Sequence, residues 1–163
     1  MGTGQHTDVS HLAGKYLTFA LGAEEYALPV LKVREIINLL DITPVPQVPA
    51  HVKGVINLRG KVIPVVDLRL KFGFAEQQYA ERTCVIVVEV AIANGYVMTG
   101  IVVDAVSDVL NIAAEDIEET PEFGPSIATD YMTGVAKVKG AVKVLVDLDR
   151  VLGTDNAVAL GAA

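Results

Sequence analysis

The sequence predicts an all-β protein with a few short helices, built from two copies of one unit. Three observations carry this. Apolar and polar residues alternate along much of the chain, the period of a half-buried strand. Of the 163 residues, 52% are hydrophobic, with no Trp and only 6% aromatics; the apolar mass is mostly Val, Ile, Leu and Ala, and branched side chains favour strands. Residues 54–73 also recur 80 positions later, with eight of 20 identical. Two all-β copies of about 60–70 residues imply two small barrels or sandwiches, a single long sandwich being the alternative.

Residues 1–14 show no periodicity and read as a mobile tail. Leu17, Phe19 and Leu21 then alternate with Thr18 and Ala20, a turn follows at Gly22-Ala23-Glu24-Glu25, and Tyr26, Leu28 and Val30 resume the alternation. This is a hairpin. Residues 31–40 fit either a helical face (Val33, Ile36, Ile37, Leu40) or a bent strand. The three prolines Pro44, Pro46 and Pro49 require an extended or looped segment. Residues 54–73 read as a second hairpin with its tip at Arg59-Gly60, because Gly60 tolerates the positive φ of a two-residue turn. Pro64 suggests an edge or a bulge. Asp67 is placed to cap a short helix over Leu68 to Phe72, and Gly73 to stop it. Thr83 to Val90 is an almost unbroken apolar strand, and Tyr96 to Leu110 reads as another. Residues 115–125 form an acidic loop, and 134–153 a last hairpin and short helix.

The repeat pairs Gly54 with Gly134, Gly60 with Gly140, Val62 with Val142 and Asp67 with Asp147, and sets the turn Arg59-Gly60 against Lys139-Gly140. A weaker echo, at a shift of 73, sets Val33-Arg34-Glu35-Ile36-Ile37 against Val106-Ser107-Asp108-Val109-Leu110. Each copy is therefore hairpin, connector, hairpin, short helix, and a tandem pair leaves a groove at its seam.

Composition excludes several classes. With 13 basic against 20 acidic residues and a net charge of −7, the chain lacks the basic face that nucleic acid requires. The single Cys84 cannot form an intrachain disulfide, which fits a reducing, cytoplasmic setting. Residues 1–10 lack the apolar stretch of a signal peptide, and the longest uncharged apolar run, 14 residues from Val90 to Val103, is too short to span a bilayer. Mean hydropathy is nevertheless positive. Such a chain buries strands on both faces or keeps apolar surface for a partner.

No catalytic set, metal site or cofactor motif emerges. His6 and His11 fall in the tail and His51 stands alone. Cys84 reads as a small buried hydrophobe, lacking a His partner that would make it a nucleophile. Asp67 and Asp147 could be paired carboxylates but are explained as helix caps. The run from Glu115 to Glu122 lacks the central Gly of a calcium loop. Arg59 is the sharpest candidate. A guanidinium at a hairpin tip reaches a carboxylate in cis or on a partner, or is simply solvated; Glu35 is the carboxylate in view.

The run GVINLRGKVIPVVDLRLKF over Gly54–Phe72 resembles the CheW family of bacterial chemotaxis coupling proteins. The resemblance extends to YLTFALGAEEYALPVLKVREI, to GIVVDAVSDVL and to PEFGPSIATDYMTGVAKVKGAVKVLVDLDRVL, and so covers about residues 15–155. With no kinase or receiver segment alongside, it points to a free-standing coupling protein. It implies two five-stranded SH3-like barrels, interleaved so that the first and last hairpins build one (about 15–45 plus 130–155) and the middle segment the other (46–129), with a tail over 156–163. It implies no catalysis. The expected partners are the cytoplasmic tip of a chemoreceptor, an antiparallel helical hairpin, and the CheW-like regulatory domain of the histidine kinase CheA; no nucleic acid, no membrane insertion, and a monomer when free. By motif, Glu35 and Arg59 correspond to the family's acidic and basic coupling positions, with Asn57 in the same NLRG run. Val33, Gly54, Cys84, Val106 and Val109 fall where a receptor-facing groove is expected, each also readable as core; Cys84 departs from the aliphatic residue expected there. The same adaptor role in another chemosensory system, such as twitching motility, is equally compatible with these residues. A small-ligand enzyme or binding module using the inter-barrel groove is the remaining alternative.

Overall fold

Alternation becomes eleven strands and two one-turn helices among the described residues, which in this computed structural model are 10–39, 41–92, 94–119 and 131–152. In chain order they are β1 (Gly14–Leu21), β2 (Glu24–Pro29), β3 (Val33–Asn38), β4 (Val52–Leu58), β5 (Lys61–Asp67), α1 (Leu68–Lys71), β6 (Cys84–Ile92), β7 (Gly95–Val103), β8 (Ala105–Ile112), β9 (Ile117–Glu118), β10 (Met132–Val138), β11 (Ala141–Val146) and α2 (Leu148–Leu152). They form two sheets, ordered β8-β1-β2-β11-β10-β9 and β3-β6-β7-β5-β4. Five strands of the first correspond one for one to the five of the second. In each, an antiparallel hairpin is joined to the other through a parallel pair, β11 with β2 and β5 with β7. Both edge strands of the second sheet feed one interior cluster, with Ile37 from β3 meeting Ile56 from β4 around Val85, Val87 and Val102. The sheet thus closes into an SH3-like barrel. Tyr16, Ala27, Ile112, Ile117, Ala136 and Leu145 fill the first barrel in the same way.

The largest cluster lies between the barrels. Leu17, Phe19, Leu21 and Leu28 of the first sheet pack there with Ile86, Val88, Val90 and Ile101 of the second, and with Leu68 and Leu148 from the helices. β6 is therefore buried on both faces from Val85 to Val88: Val85 and Val87 point into a barrel, Ile86, Val88 and also Val90 into the central core. This explains the positive hydropathy, since strands buried on both faces read as continuous apolar runs.

The hairpins follow the sequence. The Arg59-Gly60 turn has φ of 52° and 87°, the two positive values of a type I′ turn, and Lys139-Gly140 repeats it at 52° and 81°. Asp67 caps α1, accepting hydrogen bonds from the Arg69 and Leu70 amides. The pairing echoes are visible too. The ladders bulge at Arg34, between Val33 and Glu35, and at Ser107, between Val106 and Asp108, which are the residues matched by the shift of 73.

Several expectations need correction. β3 belongs to the second sheet, while β8 and β9 belong to the first, so the subdomains divide near 30 and 104 and not near 45 and 129. The reason is that the chain crosses the seam twice: a 3-10 turn at Val30–Lys32 sends β3 across, and at Asp104 the apolar run of 96–110 breaks into β7 and β8, which join different sheets. Pro64 sits in an interior strand, away from the bulge at Lys53; it is tolerated because the ladder from β5 to β7 starts only at Val65. The segment 10–14 is structured, as a 3-10 turn and the start of β1. Residues 1–9, Gly153, 154–163 and the prolines of the acidic loop lie outside the described residues.

Candidate functional site

The strands that follow the two crossings, β3 and β8, are each an edge of their sheet. Their pairing fixes which side chains face the seam. On β3, the bulge at Arg34 keeps Val33 and Ile36 on one face, opposite Val88 and Ile86 of the central core. On β8, Val106 and Val109 lie opposite Phe19 and Leu17 of the same core. The result is an open cleft of about 660 Å³ at the seam, lined by Ile36, Ile37, Cys84, Ala105 and Val106 together with Asn38, Thr83 and the charged Glu81 and Arg82. Ile36 is 45% exposed and Val109 51%. Apolar side chains from β3 and β8 thus stand beside polar and charged ones in one open cleft.

Beside it stands an ion pair. Glu35, on β3, points away from the central core, and Arg59 projects from the β4–β5 tip. The guanidinium grips the carboxylate with both arms: Nη1 donates to Oε2 at 2.9 Å and Nη2 to Oε1. Asn57 Oδ1 accepts from the Gly60 amide at 2.8 Å and holds the turn that presents Arg59. The pair links the two edges of the second barrel. Its hydrogen bond, and then its charge, hold the Glu35 carboxyl below the usual Glu range and raise Arg59. The Arg59 side chain remains 69% exposed, so its outer face stays available to a partner.

The other sequence candidates are distributed differently. Val33 is half-buried against the central core. Gly54 is not a cleft residue: it is buried at the β4 bulge, under the crossing Thr43–Pro44 segment, where a Cβ would lie 2.0 Å from the Thr43 carbonyl oxygen. Gly134 repeats the arrangement under Glu118. Cys84 is half-buried at the cleft. Burial pushes its thiol up, against a smaller opposing effect of the Val106 backbone, so it is a poor nucleophile. Asp67 and Asp147 act as helix caps in different barrels, and Asp67 Oδ2 also accepts from the Tyr79 hydroxyl at 2.9 Å. Among the described residues no group of three His, Cys, Asp or Glu could hold a metal ion, and no helix is long and apolar enough to cross a membrane. Sequence reasoning missed Ile36 as a cleft residue. The signal was its match to Val109 at the shift of 73.

Comparison with known proteins agrees with this architecture. The CheW-like domain model matches residues 15–156. Chemotaxis protein CheW of Klebsiella aerogenes is 42% identical over 153 residues, spanning 91% of this chain and 90% of that protein. Protein FrzA of Myxococcus xanthus is 29% identical over 126 residues, 77% of this chain and 76% of that one. The crystal structure of the scaffolding protein TtCheW from Thermoanaerobacter tengcongensis superposes with a TM-score of 0.75 at 33% identity, covering 85% of this chain and 92% of that one.

Proposed function

The chain belongs to the CheW-like family, and from that premise we propose that it is a non-catalytic cytoplasmic adaptor that couples chemoreceptor tips to the histidine kinase CheA. The observation that carries the reading is the pairing of an open cleft holding exposed apolar side chains with an exposed, bidentate ion pair on the same edge strand: Ile36 faces the cleft and Glu35 holds Arg59. An antiparallel helical hairpin offers the apolar stripe that such a cleft takes. Arg59 offers an orientation-dependent polar contact at its side, which gives specificity more than affinity. The chemistry of the cleft argues against catalysis. Its titratable groups are Glu81, Arg82 and a thiol raised by burial, which supply no nucleophile with a base.

The test is reconstitution with a receptor cytoplasmic fragment and CheA, followed by co-sedimentation and kinase autophosphorylation. A ternary complex with receptor-dependent kinase control is expected. A folded sample that binds neither partner refutes the proposal. The likeness to FrzA, a relative not named for chemotaxis, favours a second reading, the same adaptor role in another chemosensory system. Binding to the receptors and kinase of such a system, in place of those of a swimming system, would establish it.

A further inference from the structure

The two walls of the cleft are rooted at the two places where the chain crosses the seam, and each root is held by an ion pair to the helix that ends one repeat. β3 follows Lys32. The Lys32 ammonium donates to both oxygens of Asp149 on α2, at 2.8 and 2.9 Å, and Asp149 Oδ1 also accepts from the Ala91 amide on β6 at 2.9 Å. β8 follows Asp104. Its Oδ2 accepts from Arg69 Nη1 on α1 at 2.9 Å and from the Gly22 amide in the β1–β2 turn at 2.7 Å. The guanidinium is fixed further by the Ala75 carbonyl at 3.2 Å and by the ring of Phe74, 5.3 Å from its centroid.

These are one device built twice with its charges exchanged. Asp149 is Arg69 moved by 80 positions, and Asp104 lies within one residue of Lys32 moved by 73. In one copy the base is on the crossing and the acid on the helix; in the other the acid is on the crossing and the base on the helix. In both, the carboxylate also takes an amide from the opening hairpin of the repeat. The cationic side chains are well covered, Lys32 at 24% and Arg69 at 12% exposure, so the pairs are less screened than surface ones. Position is conserved between the copies while charge is not, which is expected if the tether matters and its polarity does not.

We propose that Lys32–Asp149 and Arg69–Asp104 are positioning residues for the cleft: they fix the roots of β3 and β8 and so hold its two walls at the separation a helical partner needs. The inference rests on the adaptor reading for the identity of that partner. A pre-set cleft avoids the cost of ordering its walls on binding.

The symmetry supplies the test. Lys32→Asp sets two acids together; Lys32→Asp with Asp149→Arg recreates the polarity of the other copy. Affinity for a chemoreceptor cytoplasmic helical-hairpin fragment is measured well below the melting temperature, with binding to the CheA regulatory domain and amide exchange in β3 and β8 as companions. The single variant is expected to lose about tenfold in fragment affinity and to exchange faster in β3, and the double variant to recover both to within about threefold. Kinase-domain binding should change by less than about twofold in each. A folded single variant with wild-type affinity and exchange, or a double variant with no recovery, overturns the proposal. Failure of the wild type to bind the fragment overturns the adaptor reading instead, and the exchange data alone then decide on the clamps.

Discussion

Gly54→Ala should be among the most damaging single-methyl additions in this protein. The new Cβ would stand 2.0 Å from the Thr43 carbonyl oxygen, 2.7 Å from its carbon and 2.9 Å from Pro44 Cα, all backbone atoms. Relief requires the crossing segment to withdraw by about 1 Å or more, since carbon–oxygen contacts settle nearer 3.3 Å. That withdrawal breaks the reciprocal hydrogen bonds from the Thr43 amide to Val55 O (2.8 Å) and from the Val55 amide to Thr43 O (2.9 Å), worth about 1 kcal/mol each. The backbone φ of 137° adds about 1–2 kcal/mol for a residue with a Cβ. The total is about 3–4 kcal/mol, or a fall in melting temperature of about 10 °C for a domain of this size. Gly60→Ala is the internal control, because its φ is 87° but nothing lies within 4 Å of its added Cβ. It should cost only the conformational part, about 1–2 kcal/mol. Thermal unfolding of both variants, followed by circular dichroism, separates clash from strain. Melting temperatures for the two within about 2 °C of each other would refute the close-approach argument.

Glu35 and Tyr79 give two pH predictions. Because Arg59 holds the Glu35 carboxyl low, its contribution to stability is complete above the ordinary Glu range and disappears as pH falls through the depressed value. Arg59→Ala should leave the fold intact and move the Glu35 titration midpoint upward in a carbon-detected NMR series; an unmoved midpoint would contradict the bidentate pairing. The Tyr79 phenol is raised above its usual value by burial and by its hydrogen bond to the Asp67 carboxylate, so its contribution is complete below about pH 10 and is lost as pH rises beyond it. Tyr79→Phe leaves Asp67 Oδ2 without that donor and should cost about 1–2 kcal/mol in urea unfolding at neutral pH, with a shallower alkaline decline; equal stability would show that water replaces the phenol.

Local chemistry was legible in the sequence wherever one residue type answers one requirement. Gly60 marks a turn needing positive φ, Asp67 an open helix start, and Glu35 a carboxylate for a tip arginine. The repeat was legible as well, and its echo at a shift of 73 marks the two strands that the structure shows to bulge at Arg34 and Ser107. Sheet membership was not. The 96–110 run reads as one strand because apolar residues continue through it, and only the ordering of the sheets shows that its halves part at Asp104. Gly54 was misplaced for a related reason: a glycine that admits another backbone and a glycine that lines a groove look alike until the crossing segment is located. Ile36 was read as a helical or strand core position, since periodicity reports which residues share a face but not where that face ends. β9 was hidden by its length, two residues inside an acidic run.

The exchange of opening hairpins between the repeats is what gives the duplicated fold its cleft at the seam. Had each repeat kept its opening hairpin with its own later strands, each barrel would close from contiguous chain, and the central core would join two complete units. Instead, each barrel combines the opening hairpin of one repeat with the third strand and second hairpin of the other. The crossing segments must therefore run along the seam, and the strands that leave them become neighbours there. Their inward faces carry equivalent apolar residues, Val33 and Ile36 on one side and Val106 and Val109 on the other. Val33 and Val106 pack on the central core, and Ile36 and Val106 line the cleft. The same exchange puts Glu35 on an edge, where the hairpin tip of the opposite edge can reach it through Arg59. Cleft and ion pair are thus served by two faces of one strand: alternation along β3 turns Ile36 toward the seam and Glu35 toward Arg59. A one-residue slip of β3 against β6 would invert both at once, which is why the bulge at Arg34 matters to the cleft and the ion pair as much as to the fold.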